Sequence, residues 1–306
     1  MSAIVRIGTR ASFMAMSQAH RVRDELLSHD PGLTVEVVPL TTTGDRWLGP
    51  LAELGGKGAF TKEVDAALLS GDVDICVHCV KDVPGDRPVP EGTELVSYVA
   101  RDDVRDAVVQ PNAIPLSELP PGARIGTSSP RRTAQLALHW PHLEPVPIRG
   151  NANSRLSKLD AGEYDALLLA VAGLTRIGLT ERISQIIEPD TMLPAVGSGT
   201  LVLQCRSDDE TSVRLARAIG HEQTWRVTTA ERAMLRVLGG HCHSPIAALA
   251  TVEDDGTLHL TGRVISTDGK TVLDASHRHA DPEVLGTGVG ERLLSQGARK
   301  IIDDAS

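Results

Sequence analysis

Arg124-Ile125-Gly126-Thr127-Ser128-Ser129-Pro130-Arg131-Arg132 has a partner near the start of the chain, Arg6-Ile7-Gly8-Thr9-Arg10-Ala11-Ser12. Each reads as the end of a strand, a hydroxyl-rich turn and the first turn of a helix. A β-rich run follows each helix, Thr34–Leu40 in the first copy and Glu144–Ile148 in the second. A second pair of matches comes later. Gly71-Asp72-Val73-Asp74 leads into Ile75–Val80, and Gly162-Glu163-Tyr164-Asp165 leads into Ala166–Val171. These apolar runs, bounded by turn residues, suit strands buried on both faces of a parallel sheet. Strand and helix alternating twice predicts two similar, doubly wound α/β lobes. Ligands of such sheets bind beyond the carboxyl ends of the strands, so a cleft lined by the repeated turns is expected.

The C-terminal third has a different pattern. Glu222–Val237 reads as a helix stopped by Gly239-Gly240. β-like runs follow near 246–252, 257–265 and 271–279, separated by the hairpin signals Asp255-Gly256 and Asp268-Gly269. A last helix is expected from Pro282 to Ile302. This is a small α+β domain with a three-stranded antiparallel sheet. Ser97–Asp103 and Leu193–Thr200 read as hinges. The expected domains are residues 1–98 with 198–217 as the first lobe, 99–197 as the second, and 218–306 as the α+β domain.

Composition bounds the function. The 306 residues have 41% hydrophobic and 23% charged content, the balance of a globular protein large enough for several cores. Aromatics are 2%, so the cores must be aliphatic. A formal net charge of -9 argues against a general nucleic-acid binder. No apolar run reaches the roughly 18 residues of a membrane helix, and no signal-peptide core is evident. A cytoplasmic location is the expectation. Cys76, Cys79, Cys205 and Cys242 are then expected as free thiols.

Against that acidic background, arginines gather where strands end: Arg10, Arg131, Arg132, Arg149, Arg155 and Arg176. Arg131 and Arg132 fall in the first turn of a predicted helix, where the helix dipole disfavours cations. An anion lying between the guanidiniums and the turn would reverse that sign. Arg149-Gly150-Asn151-Ala152-Asn153-Ser154-Arg155 repeats the arrangement at another strand-turn-helix start. Arginine is suited to bidentate carboxylate or phosphate contacts. No phosphate-binding Gly-x-x-x-x-Gly-Lys-Ser/Thr occurs, although Gly55-Gly56-Lys57-Gly58 could bring backbone close to a ligand.

Val77-His78-Cys79-Val80-Lys81-Asp82-Val83-Pro84 places Lys81 and Asp82 at the carboxyl end of a buried strand. A carboxylate there can stabilise a developing cation or exchange protons with a substrate. Cys76-x-x-Cys79 is not read as a chelate, because residues three apart on a strand face opposite ways. His241-Cys242-His243 lies after a helix stop. Its thiol could bind zinc, act as a nucleophile or serve as a covalent attachment point.

These segments together resemble the porphobilinogen deaminase (hydroxymethylbilane synthase) family over nearly the full chain. The resemblance rests on Ile7–Ser12, Gly55–Phe60, Val77–Pro84, Gly126–Arg132, Arg149–Asn151, Arg155–Asp160, Leu169–Leu174 and Leu193–Gly197. It implies stepwise condensation of four porphobilinogen molecules with loss of ammonia, and release of hydroxymethylbilane. It implies a dipyrromethane cofactor held by a thioether to Cys242, and Asp82 as the catalytic aspartate that stabilises the azafulvenium cation. Lys81, Thr127, Ser129, Arg131, Arg132 and Arg155 match cofactor-binding positions. Arg10, Ser12, Lys57, Phe60, Arg149 and Arg176 match substrate-binding ones. No metal is implied. A monomer that passes its product to uroporphyrinogen-III synthase is expected.

The chain departs from the commonest family pattern at Pro130, Cys79, Ser198, His241 and His243. Two readings from other classes remain at this point. One is an anion-binding module with the architecture of periplasmic binding proteins. The other is a zinc protein using His241, Cys242 and His243.

Overall fold

A computed structural model describes residues 4–47, 58, 60–85, 87–240 and 244–305. In chain order the first elements are β1 (Ile4–Arg10), α1 (Phe13–His29), β2 (Thr34–Leu40), α2 (Thr43–Arg46), α3 (Lys62–Leu69), β3 (Ile75–Cys79), β4 (Thr93–Tyr98) and β5 (Asp106–Val109). Next come β6 (Arg124–Gly126), α4 (Pro130–His139), β7 (Glu144–Val146), α5 (Ala152–Asp160), β8 (Ala166–Ala170), α6 (Val171–Arg176) and β9 (Gln185–Ile187). The chain continues with β10 (Leu201–Arg206), α7 (Glu210–Ala218), α8 (Glu222–Leu238), β11 (Ile246–Val252), β12 (Leu258–Ile265), β13 (Val272–His279), α9 (Pro282–Ser295) and α10 (Ala298–Asp304). They form two compact units, residues 1–102 with 200–225 and residues 103–199 with 226–306.

The first unit holds a five-stranded sheet ordered β2-β1-β3-β10-β4, and the second a five-stranded sheet ordered β7-β6-β8-β5-β9. The repeat read from the sequence is therefore a repeat of topology. In each sheet the first three strands are parallel, as expected. The fourth strand of each runs antiparallel to its neighbours, so both sheets are mixed. Those strands, β10 and β5, are supplied from outside the repeated segment, one after it and one before it.

The side-chain period of two sets the cores. Along β8, Ala166 and Leu168 enter one cluster with Ile125 and Leu136, while Leu167 and Leu169 enter another with Ile148 and Leu156. Each fully buried aliphatic side chain contributes about 1.5–3 kcal/mol. The same alternation parts the cysteines of β3. Cys76 packs with Val64 and Val73, and Cys79 packs against the α1 side of the sheet. The glycine of the repeated Ile-Gly-Thr turn is required in both copies. A Cβ on Gly8 would lie 2.8 Å from Val73, and one on Gly126 would lie 2.5 Å from Leu167.

The α+β segment pairs β11, β12 and β13 in an antiparallel sheet covered by α8 and α9 through Met234, Leu285, Val289 and Leu293. The expected last helix is broken in two. Gly297, at φ 102°, takes the left-handed conformation that ends α9 and starts α10 anew.

Candidate functional site

In the first unit, Arg10 ends β1 and Asp82 closes a 3-10 turn, Val80–Asp82, that caps β3. Arg10 Nη1 lies 3.6 Å from Asp82 Oδ2. The same guanidinium forms a fork with Asp45, Nε donating to Oδ2 at 3.2 Å and Nη2 donating to Oδ1. It also lies over the Phe60 ring, 4.2 Å from the centroid. Burial alone would lower the Arg10 pKa, but Asp45 and Asp82 outweigh it and hold the cation above its ordinary value. Asp45 is in turn placed by a capping box, because Thr42 caps α2 and exchanges hydrogen bonds with Asp45. The sequence reading of Arg10, Phe60 and Asp82 thus becomes one cluster. Asp45 was not foreseen, since a lone Asp in Thr-Gly-Asp-Arg looks like any surface turn.

Ser12 caps α1, accepting from Ala15 N–H at 3.3 Å. Lys81 is exposed on the turn beside Asp82. Lys57 and Cys242, with His241 and His243, lie outside the described residues.

The second unit builds its cluster on the β6–α4 turn. Thr127 Oγ1 accepts from Ser129 N–H at 3.2 Å, and Ser129 caps α4 with Pro130 at its first turn. Ser128 Oγ is tied to Ile148 at 2.7 Å. Arg131 and Arg132 do meet a carboxylate there, and it belongs to the chain itself. Asp106, 2% exposed at the start of β5, lies 2.7 Å from Arg131 Nη2 and 2.6 Å from Arg132 Nη2. Burial would raise the Asp106 pKa, but the charges of Arg131 and Arg132 override it and hold the carboxyl below its ordinary range. Asp106 therefore answers the unfavourable dipole at the head of α4. Arg131 Nη1 also donates to Leu193 O at 2.8 Å, and Arg132 Nη1 to Leu168 O at 2.9 Å.

Further guanidiniums gather beyond Asp106. Asn151 caps α5, and Arg155 Nε donates to Gly150 O at 2.8 Å. The Arg155 pKa is pushed down to about 10 by burial and by the like charges of Arg132 and Arg149. Arg176, at the end of α6, donates to Gly199 O at 3.0 Å. Arg132 and Arg149 thus both bring like charge to bear on Arg155. A carboxylate-rich guest would neutralise it. That donor set fits a pyrrole chain bearing acetate and propionate groups.

The class is now defined: a repeated α/β protein with a carboxylate–guanidinium cluster in one unit and a gathering of guanidiniums in the other. A family model described as "Porphobilinogen deaminase, dipyromethane cofactor binding domain" matches residues 5–214. One described as "Porphobilinogen deaminase, C-terminal domain" matches residues 225–295. Porphobilinogen deaminase 2 of Streptomyces coelicolor is 56% identical over 98% of this chain and 96% of its own. Porphobilinogen deaminase of Acidithiobacillus ferrooxidans is 46% identical over 98% of this chain and 97% of its own. Among solved structures, a periplasmic substrate-binding protein of Coxiella burnetii aligns with a TM-score of 0.42 and 16% identity, over 70% of this chain and 91% of that one. A Bordetella pertussis solute receptor that binds pyroglutamic acid aligns at 0.43 and 14% identity, over 77% and 83%. The chain belongs to the porphobilinogen deaminase family. The dipyrromethane cofactor is that of the matched family domain.

Proposed function

We propose that this chain condenses four porphobilinogen molecules head to tail on a dipyrromethane tethered to Cys242, loses ammonia at each step, and releases hydroxymethylbilane by hydrolysis. The observation that carries the anion half of this reading is the gathering of guanidiniums about the half-buried Arg155, whose pKa is pushed down to about 10 by burial and by the like charges of Arg132 and Arg149. When bound, the tethered dipyrrole supplies a nucleophilic pyrrole carbon and the carboxylates that this group of arginines neutralises.

The chain's own residues divide the work. Asp82 Oδ holds or accepts a proton and faces the developing positive charge. Arg10 keeps Asp82 oriented through its fork on Asp45. Phe60 backs the same guanidinium and borders the reacting pyrrole. Lys81, Thr127, Ser129, Arg131, Arg132 and Arg155 hold the cofactor. Arg10, Ser12, Lys57, Phe60, Arg149 and Arg176 bind substrate. Each added pyrrole brings two carboxylates, and arginines concentrated locally let an acidic protein carry them.

The division into lobes at 1–98 with 198–217 and at 99–197, with an α+β domain at 218–306, belongs to this reading. So do a cytoplasmic monomer and transfer of the product to uroporphyrinogen-III synthase. Among the described residues no helix is long and apolar enough to cross a membrane.

The test is the intact mass of the purified protein. It should carry a dipyrromethane adduct that is missing from Cys242→Ala. Asp82→Asn should keep the adduct and lose most turnover. An unmodified, fully active enzyme would overturn the tether.

A further inference from the structure

Of the described cysteines, Cys76 and Cys205 are buried and Cys79 is half-buried. Burial pushes the Cys76 thiol well up and the Cys205 thiol up to about 12, which keeps both protonated and inert. Cys79 is placed differently. It ends β3, and the 3-10 turn that carries Lys81 and Asp82 begins on it. Its Sγ donates to Gln18 Oε1 of α1 at 3.4 Å. Gln18 is 3% exposed, and its Nε2 has no hydrogen-bond partner.

A buried amide donor left unpaired costs about 1–3 kcal/mol. The Cys79 sulfur does little to satisfy it, because a thiol is a weak acceptor. An oxygen atom carried on that sulfur would be a good one. The last torsion of a glutamine is soft and two-fold, so the amide can turn over and bring Nε2 to the place now held by Oε1. The Cys79–Gln18 pair is thus a thiol beside a donor that fits its oxidised form and not its reduced one.

We propose that Cys79 is an oxidation site, at which a small peroxide converts the thiol to a sulfenic acid whose oxygen accepts a hydrogen bond from Gln18 Nε2, and that this oxidation reversibly slows turnover. The sulfur attacks one peroxide oxygen and the O–O bond breaks. The departing hydroxide takes up a proton and leaves as water. Sulfur is oxidised by two electrons and the peroxide is reduced by two. Among the described residues no second thiol is placed to capture the product as a disulfide. Cys76 faces the other side of the sheet. Cys205 lies four residues along β10 from Leu201, the partner of Cys79, which is about 13 Å away. The sulfenic acid therefore persists on Gln18 until an external thiol reduces it. The new oxygen stands at the root of the turn that positions Asp82. Arg10, which reaches Asp82 at 3.6 Å, also feels charge at Cys79, so an ionised sulfenate competes with Asp82 for that guanidinium. The loss of turnover rests on Asp82 being the catalytic carboxylate, whereas the oxidation itself does not.

The experiment treats the adduct-bearing protein, Cys79→Ser and Gln18→Leu with hydrogen peroxide. Sulfenic acid is trapped with dimedone and located by peptide mass. In parallel samples without dimedone, porphobilinogen turnover is read before treatment, after it, and after dithiothreitol. The proposal predicts dimedone on the peptide carrying Cys79, a fall in wild-type turnover of about tenfold or more, and recovery with dithiothreitol. Cys79→Ser should keep its untreated rate. It carries the same adduct, so peroxide damage to the pyrroles would lower both proteins equally. Gln18→Leu should yield several-fold less trapped product. No dimedone on Cys79, an equal loss of turnover in Cys79→Ser, or equal trapping in Gln18→Leu would overturn the proposal. Asp82→Asn is run alongside. Near-normal turnover there overturns the assignment of Asp82, while its Cys79 peptide should still take up dimedone, and failure to do so counts against the oxidation site alone.

Discussion

Asp106→Asn removes one negative charge from between Arg131 and Arg132 and leaves the shape of the side chain nearly intact. Arg132 donates to Asp106 Oδ1 from Nε at 3.1 Å and from Nη2 at 2.6 Å, and Arg131 Nη2 reaches Oδ2 at 2.7 Å. Arg131 is only 5% exposed, so its charge has little water to fall back on. Removing one partner of such a buried ionic group costs about 3–5 kcal/mol. The asparagine keeps one acceptor oxygen, which puts the expected loss at about 3 kcal/mol. For a cooperative unit of this size that is a fall of about 6–12 °C in the midpoint of thermal unfolding. The loss has a defined pH dependence. The folded Asp106 pKa is depressed, so its contribution is present above the ordinary carboxylate value and disappears as pH falls through the folded value. The gap between wild type and variant should be full at neutral pH and close in strong acid. Calorimetric scans of both proteins from neutral to acid pH measure this. A midpoint within about 2 °C of wild type at neutral pH would refute the reasoning.

Two further outcomes separate packing from charge. Arg155→Gln relieves Arg132 and Arg149 of a like charge, so thermal stability should hold or rise while adduct formation slows several-fold; a clear loss of stability would contradict the repulsion argument. Gly286→Ala should cost about 1–3 kcal/mol or more in urea unfolding. Its new Cβ would meet Ala230 O at 2.2 Å and Ala233 Cβ at 2.6 Å, whereas Gly288→Ala on the same helix meets nothing within 4 Å. Gly288→Ala should be neutral or stabilising by up to about 1 kcal/mol; equal effects of the two would show that packing of α9 on α8 is not the cause.

Much of the fold was written in local patterns. The apolar runs after Gly71-Asp72 and Gly162-Glu163 are β3 and β8, short apolar runs bounded by turn residues whose length suits a strand buried on both faces. Both Asp-Gly turns of the small sheet carry a left-handed glycine, at Gly256 and Gly269, which is the chemistry that made them legible. The antiparallel fourth strands were not legible, since β5 and β10 are apolar runs like their neighbours and direction is a tertiary property. The clusters divide in the same way. Arg10, Phe60 and Asp82 could be named from motifs, but their shared partner Asp45 could not. Asp106 was hidden among Arg101-Asp102-Asp103-Val104-Arg105-Asp106. Asp102 and Asp103 pair near the surface with Arg21 and Arg105. Only burial at the start of β5 distinguishes Asp106 from them, and burial depends on strands elsewhere in the chain.

The provenance of the fourth strands has a consequence for synthesis on the ribosome. Among the described residues β4 pairs with β10 alone, and β10 is made about a hundred residues later. When β4 emerges, the first sheet has β2, β1 and β3 and an open edge on β3. That edge stays unpaired until Leu201–Arg206 has been translated, after every strand of the second sheet. The second sheet has no such delay, because its fourth strand β5 comes first and β6 to β9 follow without interruption. The N-terminal sheet is thus begun first and finished last. Its exposed β3 edge is the segment that most needs protection from other chains during that interval. A nascent chain ending at Gly199 should therefore hold a protease-resistant second sheet and a protease-sensitive first one, and equal protection of the two would contradict this order.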